Sequence, residues 1–178
     1  CRLRRSSTAS LETDEMITGA IAYREQLRPE DREAVGRLVR ATGFFSEQEI
    51  GIAVELVEER LAKGEASGYS FLFAESADHL LGYACFGPIP GTMNSFDLYW
   101  IAVDPGEQGH GIGRTLIAGA ERIMAKRGAR RIYADTSSRP QYNPTRAFYL
   151  ACGYREAAFL ADFYGPGDGK VIFIKELL

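Results

Sequence analysis

The apolar positions change period several times along the chain, and each change marks an element. Val35, Leu38 and Val39 fall three and four residues apart, as on one face of a helix. Pro29 suits a first helical position, Glu30 and Asp31 supply first-turn acids, and Gly43 supplies a left-handed stop, which predicts a helix to about Thr42. After the turn Gly43-Phe44-Phe45, Ser46-Glu47-Gln48-Glu49 has the Ser-x-x-Glu form of a capping box, with Ile50, Val54, Val57 and Leu61 behind it. A second helix is expected to about Lys63. Short β-rich runs at Ile21–Gln26, Tyr69–Ala74, Leu80–Phe86 and Phe96–Val103 predict strands, the middle two joined at Ser76–His79 and the last closed by Asp104-Pro105.

Helical spacing returns at Ile112, Leu116, Ile117, Ala120, Ile123 and Met124 and stops at Gly128, and Arg131–Thr136 reads as the next strand. Asn143-Pro144 suits the start of a further helix, with Asn143 as its cap, carrying Ala147, Phe148, Leu150 and Ala151 to a stop at Gly153. Strands at Tyr154–Leu160 and Val171–Glu176 are expected to finish the fold, separated by the loop Tyr164–Gly169. The order β-α-α-β-β-β-α-β-α-β-β, without internal repeat, predicts an α/β fold with a mixed, mostly antiparallel sheet flanked by helices. Residues 1–18 show no periodicity and are expected to be a disordered tail, leaving 19–178 as a single domain.

Composition narrows the partners rather than the activity. A net charge of -3 and a pI near 5.5 argue against nucleic acid, which needs a concentrated basic face, and suit a cationic acceptor better. No apolar run approaches the roughly 20 residues needed to span a bilayer, so no membrane partner is expected. Cys1, Cys85 and Cys152 lack the paired spacing of a metal site or disulfide framework, which points to free thiols, no bound metal and a cytoplasmic location.

The chemistry concentrates at Gln108-Gly109-His110-Gly111-Ile112-Gly113, between a strand end and a helix start. Glycines there expose amides at the positive end of the helix dipole, which suits a phosphate or pyrophosphate, and Arg114 adds charge. A Gly-x-Gly-x-x-Gly dinucleotide fingerprint fails on register, because its third glycine falls on Arg114 or Leu116. A P-loop fails because Arg114 stands where its lysine belongs. Gln-x-x-Gly-x-Gly does fit, at Gln108, Gly111 and Gly113.

With this loop, the element order and Ala147-Phe148-Tyr149 running to Gly153-Tyr154, the chain over 19–178 resembles the GNAT N-acetyltransferase superfamily. The resemblance implies a GNAT-like sheet, acetyl-CoA as co-substrate, and direct transfer of acetyl to a primary amine in a ternary complex. Amides of Gly109, His110, Gly111, Ile112 and Gly113 would then hold the pyrophosphate. Ile101 and Val103 would face the pantetheine arm in a splay between the fourth and fifth strands, and Asn143 matches a position near that arm.

Attack on a thioester needs a neutral amine, whereas an alkyl ammonium has a pKa near 10.4, so a base is wanted. The resemblance offers Asp97, eleven residues before Gln108, acting through water. It also offers Tyr149, facing the coenzyme sulfur. A phenol near pKa 10 protonates a thiolate near 8.5 only uphill by about 2 kcal/mol, so hydrogen bonding to the leaving sulfur is the expected contribution. The acceptor is expected between Phe44 and Phe45 on one side and Phe163 and Tyr164 on the other, and a small-molecule or amino-acid-like amine is favoured. The alternatives are a protein lysine or N-terminus as acceptor, or a non-catalytic acyl-CoA-sensing module. An exposed final strand is expected to support a homodimer.

Overall fold

The computed structural model describes residues 20–77 and 79–177, so the expectation for residues 1–18 lies outside them. The chain runs β1 (Ala22–Arg24), α1 (Asp31–Ala41), α2 (Glu47–Lys63), β2 (Ser70–Ser76), β3 (His79–Pro88), β4 (Ser95–Val103), α3 (Ile112–Lys126), β5 (Arg131–Ser137), α4 (Asn143–Ala151), β6 (Arg155–Gly165) and β7 (Asp168–Glu176). The strands form one seven-stranded sheet in the order β1-β2-β3-β4-β5-β7-β6, with β4 and β5 its parallel pair. This is the mixed, mostly antiparallel sheet that the pattern predicts.

Two apolar layers hold helices on opposite faces. One joins Leu116, Ile117, Ala120 and Met124 of α3 and Tyr149 of α4 to Leu72, Leu98, Ile132 and Phe173. The other joins Val35, Leu38 and Val39 of α1 and Ile50, Ala53 and Val57 of α2 to Phe71, Phe73, Tyr83 and Ala102. Because α1 and α2 pack over β2, β3 and β4, the same face of β5, β7 and β6 is left without a helix.

Local signals explain most boundaries. Ser46 caps α2 by accepting from the Glu49 amide at 3.3 Å, while Glu49 accepts from the Ser46 amide at 2.8 Å. Helix α1 starts at Asp31, two residues later than Pro29 suggests, because buried Asp31 accepts from the Arg28 amide at 2.6 Å and pairs with Arg24 at 2.8 Å. That pair fastens the short β1 to the helix.

Three expectations change. Asn143 does not cap α4: a 3-10 turn over Pro140–Tyr142 leads straight into the helix, and Asn143 has helical dihedrals and accepts from Arg146. The predicted loop at Tyr164–Gly169 is a hairpin, its strands turning at Pro166-Gly167, where Gly167 takes φ +77. Its β6 arm bulges, since residues 161–164 lie opposite the single Gly169. The final strand, β7, lies inside the sheet between β5 and β6, so the edge at this end of the sheet belongs to β6. Among the described residues no helix is long and apolar enough to cross a membrane.

Gly82 of β3 lies against the end of β4, where an added Cβ would sit 2.8 Å from the Ala102 carbonyl oxygen and 3.1 Å from Leu116. Gly82→Ala should therefore cost about 1–3 kcal/mol of stability by overpacking. Denaturant unfolding measures this, and an unchanged midpoint would contradict the packing described.

Candidate active site

Two strands that begin side by side come apart at the centre of the sheet. β4 and β5 pair from Ser95–Arg131 to Leu98–Ala134, after which β4 runs on to Val103 and β5 to Ser137 without further pairing. A register shift between β3 and β4 coincides with this point: Phe86 pairs with Leu98 and Cys85 with Trp100, leaving Tyr99 without a partner on β3. The extra residue reverses the alternation of side chains. Ile101 and Val103 thus join Leu98 in packing on the α3 and α4 side, and Trp100 and Ala102 turn to the α1 and α2 side.

The glycine loop leaves the end of β4. Asp104 steadies it by accepting from the Gly106 amide at 2.8 Å, and Gln108 turns back to donate to the Val103 carbonyl at 3.4 Å. Gly109 and Gly111 take φ +84 and +83, left-handed values that strain any residue with a side chain. Gly111 occupies the cap position of α3 without a capping side chain, and the first intrahelical bond runs from Thr115 to the Gly111 carbonyl at 3.0 Å. The amides of Ile112, Gly113 and Arg114 therefore lack helical partners, and the first turn carries no acid. A cavity of about 450 Å³ opens there, lined by Gln108, Gly109, Gly111, Ile112, Gly113 and Arg114 from the loop and by Pro144, Thr145 and Phe148 from α4. Open backbone, free amides and an Arg114 without an ion pair among the described residues are what a pyrophosphate requires.

This cavity adjoins a larger one of about 860 Å³, the two sharing Phe44, Ile101, Val103, Gln108 and Thr145 as lining. Aromatic residues Phe44, Phe45, Trp100, Tyr142, Tyr149 and Tyr164 line the larger cavity, together with the carboxylates of Glu49, Asp135 and Asp168. Phe45 packs on Trp100 with ring centres 4.7 Å apart, and Tyr142 packs on Phe44 at 5.7 Å while donating to its carbonyl at 3.3 Å. Arg139 meets Asp168 at 3.0 Å, and Lys170 is held beside Asp135. No group of three or more metal-ligating side chains occurs among the described residues.

The acetyltransferase (GNAT) family model matches residues 37–154, which is more than half the chain. The chain belongs to the GNAT acetyltransferase family. A GNAT-family acetyltransferase structure from Desulfovibrio desulfuricans is similar at 45% identity and TM-score 0.87, over 88% of this chain and 99% of that one. The PaiA N-acetyltransferase of Thermoplasma acidophilum, solved with coenzyme A, shares the fold at 23% identity and TM-score 0.69, over 89% and 99%. A mycothiol acetyltransferase of Amycolatopsis mediterranei is 32% identical over 126 residues, 66% of this chain but 41% of that protein. The chain thus spans about two fifths of that relative's length.

In this GNAT chain the predicted positions separate into three groups. Ile101, Val103, Gln108, Phe44, Phe45, Tyr164 and Tyr149 line the larger cavity, and Gly109, Gly111, Ile112, Gly113 and Arg114 line the smaller. His110, Asn143, Phe163 and Asp97 line neither: His110 lies 3.7 Å from Glu107, and the Phe163 ring lies against Lys170 at 4.8 Å. The sequence reading passes over Trp100, Asp135, Arg139, Tyr142 and Glu49. Alternation in β5, which buries Ile132 and Ala134 on one face, could have placed Asp135 on the other.

Asp97 is half-buried on β4, and its carboxyl is pushed up to about 6, chiefly by burial and next by the charge of Asp135, with Lys170 pulling the other way. Tyr149 is almost fully buried against Phe148, Tyr154 and Phe173, and burial raises its phenol well above the usual range. Removing the like charge by Asp135→Asn should lower the Asp97 midpoint, and removing the cation by Lys170→Met should raise it. NMR titration of the Asp97 carboxyl carbon reads both, and shifts of the opposite sign would refute this electrostatic account.

Proposed function

We propose that this chain is an N-acetyltransferase that moves acetyl from acetyl-CoA to a primary amine, by direct transfer within a ternary complex, with a small-molecule acceptor. The observation that carries this reading is the adjacency of two cavities with five lining residues in common: free α3 amides in one, an acidic and aromatic chamber in the other, Tyr149 in its wall. The amides of Gly109, Gly111, Ile112 and Gly113 would bind the coenzyme pyrophosphate with Arg114, and Ile101 and Val103 would flank its arm. His110 and Asn143 are assigned peripheral contacts with the same coenzyme. A chamber of this size suits a small molecule, and its carboxylates suit an acceptor that arrives as a cation.

In this scheme the acceptor ammonium must lose a proton before it attacks the thioester carbonyl. Asp97, outside the cavity lining, would take that proton through water, and a carboxyl poised near 6 is a better base at neutral pH than one near 4. The amine nitrogen bonds to the acetyl carbon, the carbon–sulfur bond breaks with its electron pair going to sulfur, and the nitrogen sheds its second proton to water as the thiolate leaves. The Tyr149 phenol, pushed upward by burial, keeps its proton and stabilises that thiolate as a hydrogen-bond donor. Phe44, Phe45 and Tyr164 would hold the apolar part of the acceptor, with Phe163 supporting Tyr164 through their edge-to-face contact at 5.0 Å.

A homodimer is assigned to the exposed edge of β6, which carries Phe159 and Leu160 and neither of the residues, Pro and Lys, that commonly blunt such edges. Light scattering should give twice the chain mass, and Leu160→Lys should return a monomer. A monomeric parent would remove this assignment.

Saturating acetyl-CoA should raise the melting temperature, and a panel of amines should include acceptors that release coenzyme A thiol above hydrolysis. Stabilisation without release by any amine would point instead to a sensing module, and no stabilisation would remove the coenzyme assignment. Tyr149→Phe should lower kcat about 10- to 100-fold with little change in the KM for acetyl-CoA. Because a base works above its pKa, kcat/KM should rise with pH through about 6 in the parent, and Asp97→Asn should lose that limb. An unchanged profile would move the base to another group.

A further inference from the structure

At the C-terminal end of α4 lies a partly buried ion pair that the reaction scheme leaves unused. Lys175 falls two residues after Phe173 and four after Val171, so it projects from the face of β7 that packs under α3 and α4. An apolar residue would fill that position at lower desolvation cost. Its ammonium instead donates to Glu121 of α3 at 2.7 Å and to the Cys152 carbonyl at 2.8 Å, with side-chain exposures of 25% for Lys175 and 13% for Glu121.

The Cys152 carbonyl is one of the acceptors that the end of α4 leaves without a helical donor. Lys175 therefore ties α4 to α3 and β7 at one point. Tyr149 is a single turn away. Tyr154 completes the link: its ring lies 5.5 Å from the Lys175 ammonium and 5.6 Å from the Tyr149 ring, and its amide donates to the Tyr149 carbonyl at 3.0 Å. The second Glu121 oxygen and the Tyr154 hydroxyl are both buried beside this contact, so Glu121 is held between Lys175 and Tyr154. Apolar packing resists separation but tolerates sliding, whereas two short charged bonds fix direction.

We propose that Lys175, oriented by Glu121, is a positioning residue that sets the height of α4 and thereby aims the Tyr149 phenol at the reacting centre. The proposal rests on the role of Tyr149 given above. A double-mutant cycle of Lys175→Met and Tyr149→Phe tests it, with kcat, the KM for acetyl-CoA and the melting temperature recorded for each variant. Lys175→Met should lower kcat about 10-fold, with the KM for acetyl-CoA within about twofold, because a displacement of about 1 Å costs turnover rather than binding. In the Tyr149→Phe background the same change should cost nothing more.

Two outcomes overturn the proposal alone while Tyr149→Phe is impaired: a folded Lys175→Met with parental kcat, or losses that multiply across the two sites. A Tyr149→Phe enzyme with parental kcat overturns the role of Tyr149 itself. Glu121→Gln keeps the volume and an acceptor but removes the charge that anchors the lysine. It should give a smaller kcat loss with the same lack of additivity, and it decides the matter on the same criteria should Lys175→Met fail to fold.

Discussion

The parting of β4 and β5 beyond Leu98 and Ala134 is the constraint on which the rest of the molecule depends. Parallel neighbours normally share hydrogen bonds along their length, and here the shared ladder covers four residue pairs before the strands diverge. The gap gives an otherwise closed sheet a passage through its middle. Its position is set by the extra residue at Tyr99, which turns Trp100 toward α1 and α2 and sends Ile101 and Val103 toward α3 and α4. The glycine loop starts where β4 ends, so the free amides of α3 open onto that same passage.

The chamber at its far end is shaped by what the helices leave uncovered. α1 and α2 stop at β4, and the face of β5 and β7 beyond them sets Asp135 and Lys170 among Tyr133, Ile172 and Ile174. Asp97 shares that electrostatic environment. Its raised carboxyl follows from partial burial and from the charge of Asp135, moderated by Lys170. A group with a raised folded pKa binds its proton more tightly than in the unfolded chain. Its ionisation thus opposes folding as pH climbs from about 4 to about 6, a local strain of the sort that functional sites retain.

The fold was legible because local signals agreed with one another. The Ser46–Glu49 capping box, the stop at Gly128, the helical period of Ile112 to Met124 and the Asp104-Pro105 strand end all appear where the pattern places them. The glycine loop was legible too, since orphan amides follow from a helix start without a capping side chain. Features that arise from pairing were not. The Tyr99 bulge is invisible because Leu98–Val103 is continuously apolar and aromatic, with no alternation to break, and the β6 bulge hides beside a segment rich in turn residues. Asn143 misled because an Asn-Pro pair fits a cap equally well one step inside a helix that a 3-10 turn has already begun. Asp135 and Lys175 acquire meaning only from neighbours more than twenty residues away.

The central claim is that the passage between β4 and β5 and the free amides of α3 together bind a pyrophosphate-bearing thioester coenzyme. Amide hydrogen exchange with and without saturating acetyl-CoA tests it most directly. The account predicts new protection at Gly109, Gly111, Ile112, Gly113 and Arg114 together with the Trp100–Val103 end of β4. Protection elsewhere, with these amides exchanging as before, would contradict it.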